Sequence, residues 1–380
     1  MKVLHIVPSF YPAFNYGGPI ISVYELCAGL VRQGCEVRVL TTDANGLGAV
    51  LDVAKDSPVT LPPGLRVRYC PRIFRHSVSP RLLRLLAPSI RWADVVHLTA
   101  VYNFPTIPTL AACRWLGKPL VWSPRGALQR WQNSRRPAMK AAWESICRGL
   151  SPGSMVLHVT SPQEAVESIA KFPGARAVVI PNGVELPPNL EHRKDCECLR
   201  LLFLGRLDPK KGIESLLAAC RMLAGRLGRR WKLAIAGSGG AAYTAELKQT
   251  ARHLGLGEQV SFVGEAREKA KADLFAESDL AVFPSHTENF AMVVAEALAH
   301  GLPVIASKGT PWSGVEIHGC GLWVENDPGT LADAIERMST MPLRKMGKRG
   351  RQWMEAEFSW ETVAQEMLRL YGKLLSKEPA

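Results

Sequence analysis

Short apolar runs recur along the chain, each followed by a polar or glycine-bearing stretch and then by a segment with helical spacing. Val3-Leu-His-Ile-Val7, Glu36-Val-Arg-Val-Leu40, Asp94-Val-Val-His-Leu98, Pro119-Leu-Val-Trp122, Leu201-Leu-Phe-Leu204, Leu233-Ala-Ile-Ala236, Val260-Ser-Phe-Val263 and Ser278-Asp-Leu-Ala-Val-Phe283 have the length and composition of buried parallel strands. Between them, Ile20, Val23, Tyr24, Cys27, Leu30 and Val31 form one helical stripe. Ile213, Leu216, Leu217, Cys220, Leu223, Ala224 and Leu227 form another. Ala291 to His300 is rich in helix formers, and Gly301 stands where a helix-ending glycine belongs. Alternating strands and helices predict an α/β chain of doubly wound parallel sheets. The pattern restarts at Leu201. Pro181-Asn-Gly183 closes the first half with a turn, and residues 185–198 read as a linker. No internal sequence repeat is evident.

Composition sets limits on this picture. The chain has 380 residues, 47% hydrophobic and 21% charged, enough for two cores of roughly 150–200 residues each. No apolar run approaches the roughly 20 residues of a membrane helix. The apolar start at Met1 to Val7 is short and meets Pro8, so it reads as a first strand rather than a leader. Nine cysteines, odd in number and without zinc spacing, fit a reduced cytosolic chain; Cys196-x-Cys198 is an isolated pair.

Charge changes the picture more. The net charge is +13, and residues 57–143 hold fourteen Lys/Arg against one acid, Asp94. Such a block suits an anionic partner: a phospholipid surface, a nucleic acid or a diphosphate-linked acceptor. Within it, Ser79 to Ile90 with Arg91 is short, basic and apolar. It reads either as an amphipathic helix lying on an anionic bilayer or as a surface helix packed on its own domain.

Candidate chemistry collects where strands end. Tyr16-Gly17-Gly18-Pro19 places two glycines at a strand-to-helix turn, either a plain turn or a close approach for phosphate or sugar. His97 and Thr99 end one strand, and His97 is equally readable as a hydrogen-bonded core histidine. Arg125 ends another, with a fork suited to phosphate or an ordinary surface role. Gly205-Arg206-Leu-Asp-Pro-Lys-Lys211-Gly212 sets two cations at a helix start. Of all the loops it gives the strongest local signal for a phosphate site. Gly237-Ser-Gly-Gly240 is a glycine turn after a strand, and Val263 ends the next. Last comes Pro284-Ser-His-Thr-Glu288-Asn289-Phe290-Ala291, opening a helix that contains Glu296. Taken alone, Glu288 reads as a helix cap and Glu296 as a solvated charge. Thr310 and Trp312 line a pocket in one reading and belong to the core in the other.

Glu288 and Glu296 with Asn289-Phe290-Ala291 between them, the Gly-Arg…Lys-Gly stretch and Pro181-Asn-Gly183 together resemble retaining group 1 (family 4) glycosyltransferases of the GT-B fold. The Ser123-Pro-Arg-Gly126 segment is similar to a subgroup that builds bacterial surface polysaccharides. The resemblance spans nearly the whole chain. It implies two facing Rossmann-like domains with a cleft between them. Residues 1–184 would bind the acceptor, 199–356 would bind the donor, and a helix in 357–380 would cross back onto the first. It implies hexosyl transfer, with retention, from a nucleotide diphosphate sugar to a hydroxyl acceptor, a glycan or lipid-linked diphosphate. No metal and no further cofactor take part, since Arg206 and Lys211 neutralise the departing diphosphate.

By the same resemblance His97, Thr99, Arg206, Lys211 and Glu288 form the catalytic group. Gly17, Gly18, Gly237, Val263, Asn289, Phe290, Ala291 and Glu296 complete the donor site, and Arg125 faces acceptor or cleft. No enzyme nucleophile is named, and a front-face route fits. The expected location is cytoplasmic, peripheral on the inner face of the membrane. Two positions depart from the pattern. Thr99 stands where a histidine is usual, and it cannot carry a proton at neutral pH. Ala291 stands where glycine is usual, and it keeps the same backbone N–H only if its φ is negative. Rival readings are a nucleotide-sugar epimerase on the same fold, an inactive relative, and a nucleic-acid binder. The last is disfavoured because aromatics are not interleaved with the basic block.

Overall fold

The computed structural model describes residues 1–46, 48–55, 57–74, 77–129, 136–188 and 197–376. Most of the expected linker, including Cys196, lies outside them. The chain divides into two compact units, Met1–Gly183 with the segment from Trp360, and Val184–Ser359.

The first unit runs β1 (Lys2–Ser9), α1 (Gly18–Arg32), β2 (Glu36–Thr42), β3 (Val59–Leu61), β4 (Leu65–Cys70), α2 (Pro80–Trp92), β5 (Val95–Thr99), α3 (Thr106–Trp115), β6 (Leu120–Ser123), α4 (Pro137–Leu150), β7 (Met155–Val159), α5 (Pro162–Lys171) and β8 (Arg176–Val179). Its sheet has the order β3-β4-β2-β1-β5-β6-β7-β8, parallel except for the β3–β4 hairpin. The strands are buried on both faces, which explains their continuous apolar runs. In α2, Leu82, Leu86 and Ile90 lie in the core, capped by Ser79, whose Oγ accepts from the Leu82 N–H. The helix therefore packs on its own domain. The bilayer reading loses its apolar stripe, and α2 exposes Leu83, Arg84 and Arg91 with Pro80 and Pro88.

The second unit runs β9 (Leu199–Leu204), α6 (Ile213–Leu223), β10 (Trp231–Ala236), α7 (Ala241–His253), β11 (Val260–Gly264), α8 (Glu268–Glu277), β12 (Leu280–Phe283), α9 (Met292–Ala299), β13 (Val304–Ser307), α10 (Gly314–Ile317), β14 (Gly321–Val324), α11 (Pro328–Ser339) and α12 (Leu343–Glu357). Its six parallel strands are ordered β11-β10-β9-β12-β13-β14. The last helix, α13 (Trp360–Ser376), belongs to the first unit. Val363, Met367, Leu370 and Tyr371 join the core built on β1 and α1.

In both sheets the order of strand addition reverses beside the first strand, between β1 and β5 in one and between β9 and β12 in the other. Loops diverging from such a point leave a crevice at the carboxyl ends of the strands. The motif loops stand there in each unit.

Candidate active site

In the second unit the loops after β9 and β12 are held together by backbone. The His286 N–H donates to the Lys210 carbonyl at 2.8 Å. Gly212 has φ 62°, and a Cβ there would lie 2.1 Å from the Pro284 oxygen, so only glycine lets the loops close. Gly237 follows the same logic. It has φ 143°, and its Cβ would meet the Gly205 oxygen at 1.7 Å.

This clamp brings Lys211 onto Glu288, an ion pair whose carboxylate Oε1 also accepts from Ser285 Oγ at 3.0 Å. The Glu288 N–H donates to the Gly309 carbonyl at 2.8 Å, fixing the loop. Arg206 is exposed and has no ion pair among the described residues. Thus one cation of the motif is balanced by a carboxylate and the other is available to an anion.

Glu296 sits on α9. Its Oε1 pairs with Lys271 Nζ at 2.6 Å, while Oε2 is buried without a hydrogen-bond partner among the described residues. A buried carboxylate oxygen left open is costly unless a donor arrives. A ligand hydroxyl would satisfy it.

Ala291 caps α9 with φ 60° and ψ 68°, a left-handed residue, and not the negative φ expected for alanine. The loop keeps the backbone course a glycine would take and bears a strain of about 1–2 kcal/mol for its Cβ. No side chain caps α9, so the backbone beyond Ala291 offers N–H groups. Phe290 is buried against Trp312 and Phe358, and the Trp312 Nε1–H donates to its carbonyl at 2.5 Å. Trp312 and Thr310 are each 2% exposed, so the core reading holds for both. Gly237 and Val263 stand at the ends of β10 and β11, and Val263 is 48% exposed.

In the first unit, Gly17 and Gly18 are exposed at an α1 N-terminus that no side chain caps. His97 differs from its expected catalytic role. It is fully buried and both ring nitrogens are occupied, Nδ1 by the Tyr371 hydroxyl at 2.5 Å and Nε2 by Ser123 Oγ at 2.6 Å. Ser123 Oγ also meets His158 Nδ1 at 2.6 Å, and His158 Nε2 meets the Ile180 carbonyl at 3.0 Å.

The carbonyl fixes the direction of this chain. Because it only accepts, His158 Nε2 carries the proton and Nδ1 accepts from Ser123. Ser123 then accepts from His97 Nε2–H, and Tyr371 donates to His97 Nδ1. His5 stacks on His97 with ring centroids 4.3 Å apart, and its Nε2 meets Thr99 Oγ1 at 2.8 Å. Burial, with the Arg125 charge adding to it, pushes His5 and His158 down to about 3 and His97 well below its usual value. These rings are neutral core groups. Thr99, 4% exposed, belongs with them.

Arg125, with φ 54°, lies half-buried in the turn after β6. It donates to Asn182 Oδ1, while its buried Nε has no hydrogen-bond partner among the described residues. Burial lowers its pKa and the Glu164 carboxylate opposes that shift. Glu164 itself accepts from the Gly126 N–H and from the Thr160 N–H. The sequence reading missed His5, His158, Ser123, Glu164, Tyr371 and Lys271. A signal existed for two of them, a histidine inside each of the apolar runs at β1 and β7.

Comparison with known proteins agrees with this layout. The family described as Glycosyltransferase Family 4 matches residues 16–186, and Glycosyl transferases group 1 matches residues 191–353. A protein of Geodermatophilus obscurus named D-inositol 3-phosphate glycosyltransferase is 30% identical, over 97% of this chain and 87% of the relative. One of Catenulispora acidiphila, D-inositol 3-phosphate glycosyltransferase 2, is 28% identical over 97% and 93%. Among solved structures, sucrose-phosphate synthase of Thermosynechococcus elongatus superposes with a TM-score of 0.74, at 22% identity and with both chains fully covered. HepE of Anabaena, in complex with UDP and glucose, gives 0.72 at 18% identity, over 98% of this chain and all of that one. With two Rossmann-like domains, both halves matched and a full-length relative at this identity, the chain belongs to the group 1 glycosyltransferases of family 4.

Proposed function

We propose that this glycosyltransferase moves a hexose from a nucleotide diphosphate sugar to a hydroxyl acceptor, with retention and without metal. The observation that carries the reading is the clamp at the switch point of the second sheet. It holds Lys211 on Glu288, while Arg206 stands exposed in one of the two loops and the open Glu296 Oε2 belongs to the helix that follows the other. In this reading Arg206 binds the diphosphate. Lys211 exchanges its contact with Glu288 for phosphate and stabilises the charge that grows on the leaving group. Glu296 Oε2 accepts from a ribose hydroxyl, and the backbone at Asn289 to Ala291 donates to sugar and phosphate. The Gly17-Gly18 turn meets the transferred sugar. HepE, solved with UDP-glucose, supports a UDP-sugar as the first donor to try.

The acceptor is anionic in this proposal, received near Arg125. A lipid-linked glycan of a surface polysaccharide fits the basic first unit, with the protein peripheral on the cytoplasmic membrane face. In support, Trp115 is 76% exposed, and its neighbour Arg114 reaches Gly149 on α4, where Met139 and Ile146 are exposed. No helix among the described residues is long and apolar enough to cross a membrane. The relatives named for D-inositol 3-phosphate favour a second reading, a phosphorylated polyol.

The test is a panel of UDP- and GDP-sugars without metal, read by thermal shift and nucleotide release, on the wild type, Arg206→Ala and Glu296→Ala. One donor should stabilise the wild type, and each substitution should weaken it by about 1.5–3 kcal/mol. No response to any donor, from folded protein, would end the proposal. Adding inositol 3-phosphate or a lipid diphosphate glycan then separates the two acceptors.

A further inference from the structure

A concave pocket of about 410 Å³ opens in the second unit at the opposite ends of the strands from the motif loops. Arg200 is the second residue of β9, and the donor loop begins at Gly205 after its last. At about 3.3 Å per residue the two ends stand roughly 15–20 Å apart. The pocket therefore shares no residue with the candidate active site.

Its walls carry Arg200, Arg229, Arg344 and Lys345 against a single carboxylate, Asp279. That carboxylate is committed to Arg200, which reaches Oδ1 at 2.6 Å and Oδ2 at 3.0 Å. Arg229 and Lys345 stand on the same wall. Arg229 Nε is buried and has no hydrogen-bond partner among the described residues. A buried guanidinium N–H left open is destabilising unless an acceptor fills it. The N-terminus of the fifteen-residue helix α12 also borders the pocket, uncapped by any side chain, and adds to its positive potential. The guanidinium fork is the side chain best matched to phosphate oxygens.

The remaining wall asks for more than a bare anion. Phe275 and His300 line it, with ring centroids 4.6 Å apart. His300 Nδ1 donates to the Glu296 carbonyl at 2.8 Å, which leaves Nε2 of the neutral ring an acceptor. An acceptor nitrogen repels a fully ionised phosphate but takes a hydroxyl proton. The combination selects a small molecule with a phosphate for Arg229 and Lys345 and a hydroxyl for the histidine.

We propose that this pocket is a second ligand site, binding a phosphorylated sugar or polyol away from the catalytic centre. His300 is one residue past the end of α9, the helix that carries Glu296. A ligand here would touch the far end of the element that shapes the donor site.

The test uses the full chain titrated with inorganic phosphate and with glucose 6-phosphate. Binding is followed by calorimetry and by the Cε1–H resonance of His300. Saturable binding should shift that resonance. Arg229→Ala and Lys345→Ala should each weaken it about tenfold, whereas Arg206→Ala should leave it unchanged. Tighter binding of the sugar phosphate than of phosphate identifies the hydroxyl contact, and His300→Phe should erase that preference. Equal affinities for the two, with the arginine dependence intact, overturn the hydroxyl claim. No binding, or binding lost in Arg206→Ala and kept in Arg229→Ala, overturns the site itself. Neither Arg229 nor Lys345 forms an ion pair among the described residues, so their loss leaves the fold standing.

Discussion

Lowering the pH should unfold the first unit through its buried histidines. His5, His97 and His158 are neutral in the native state, with the Arg125 charge beside them and their ring nitrogens engaged. In the chain His158–Ser123–His97–Tyr371, adding a proton to either ring turns its accepting nitrogen into a donor and forces the neighbouring hydroxyl to stop donating to it, while a charge is placed in the core. Unfolded rings protonate near pH 6.5, and native ones do so only far lower. Stability is thus complete above about pH 6.5 and is lost as pH falls toward the native values near 3.

Each ring contributes a slope of about 1.4 kcal/mol per pH unit in that window, so three give about 4 kcal/mol per unit. A domain stable by about 5–15 kcal/mol loses half of that stability or more over two such units. Urea unfolding at pH 7.5, 6.5 and 5.5 should show a midpoint that holds and then drops. His158→Gln, which keeps the size, should be less stable at pH 7.5 but should lose roughly a third of the slope. The reasoning fails if the midpoint is flat from pH 7.5 to 5.5, or if proton NMR finds the three rings titrating near 6.5.

Other outcomes follow from single contacts. Tyr371→Phe removes the donor to His97 Nδ1 and should cost about 1–3 kcal/mol, seen as a lower urea midpoint with donor affinity unchanged. Gly237→Ala drives a Cβ into the Gly205 carbonyl and should destabilise the second unit by at least about 2 kcal/mol, measured by thermal unfolding. Ala291→Gly trades about 1–2 kcal/mol of relieved strain against about 0.8 kcal/mol for the buried methyl and about 0.5–1 kcal/mol of backbone freedom. Its stability should stay within about 1 kcal/mol of the parent, and a larger change in either direction contradicts that balance. Vesicles with anionic lipid should retain the protein in flotation at low salt and release it at high salt. Trp115→Ala should weaken the retention, and binding to neutral vesicles alone would exclude the basic block as its cause.

What was legible in the chain was local. Strand, glycine, cation and helix start are neighbours between Leu201 and Leu223, and between Leu280 and Ala299, so the donor loops were readable from their order. Distance in sequence hid the rest. His97 looked like a ligand-facing residue because its strand ends in a loop, yet the group that claims it, Tyr371, lies 274 residues onward. The apolar stripe at Ala224 and Leu227 extends past the helix, which ends at Leu223 because Gly225 turns left-handed, although Leu227 still packs on the core. The backbone at Ala291 was misjudged because propensity alone argues against a left-handed alanine. The loop closure between Glu288 and Gly309 outweighs that preference.

The membership of α13 in the first unit carries a consequence for synthesis. Met367, Leu370 and Tyr371 fill a core whose other walls come from the chain between Val3 and Ile180. A nascent first unit leaves the ribosome with that groove open. It stays open while the whole second unit is translated, roughly ten seconds or more at ordinary elongation rates. During that interval its histidine chain has no terminal donor and its apolar groove is exposed, so holdase chaperones have a defined place to act. A released chain truncated after Ser359 should therefore be protease-sensitive in the first unit and resistant in the second.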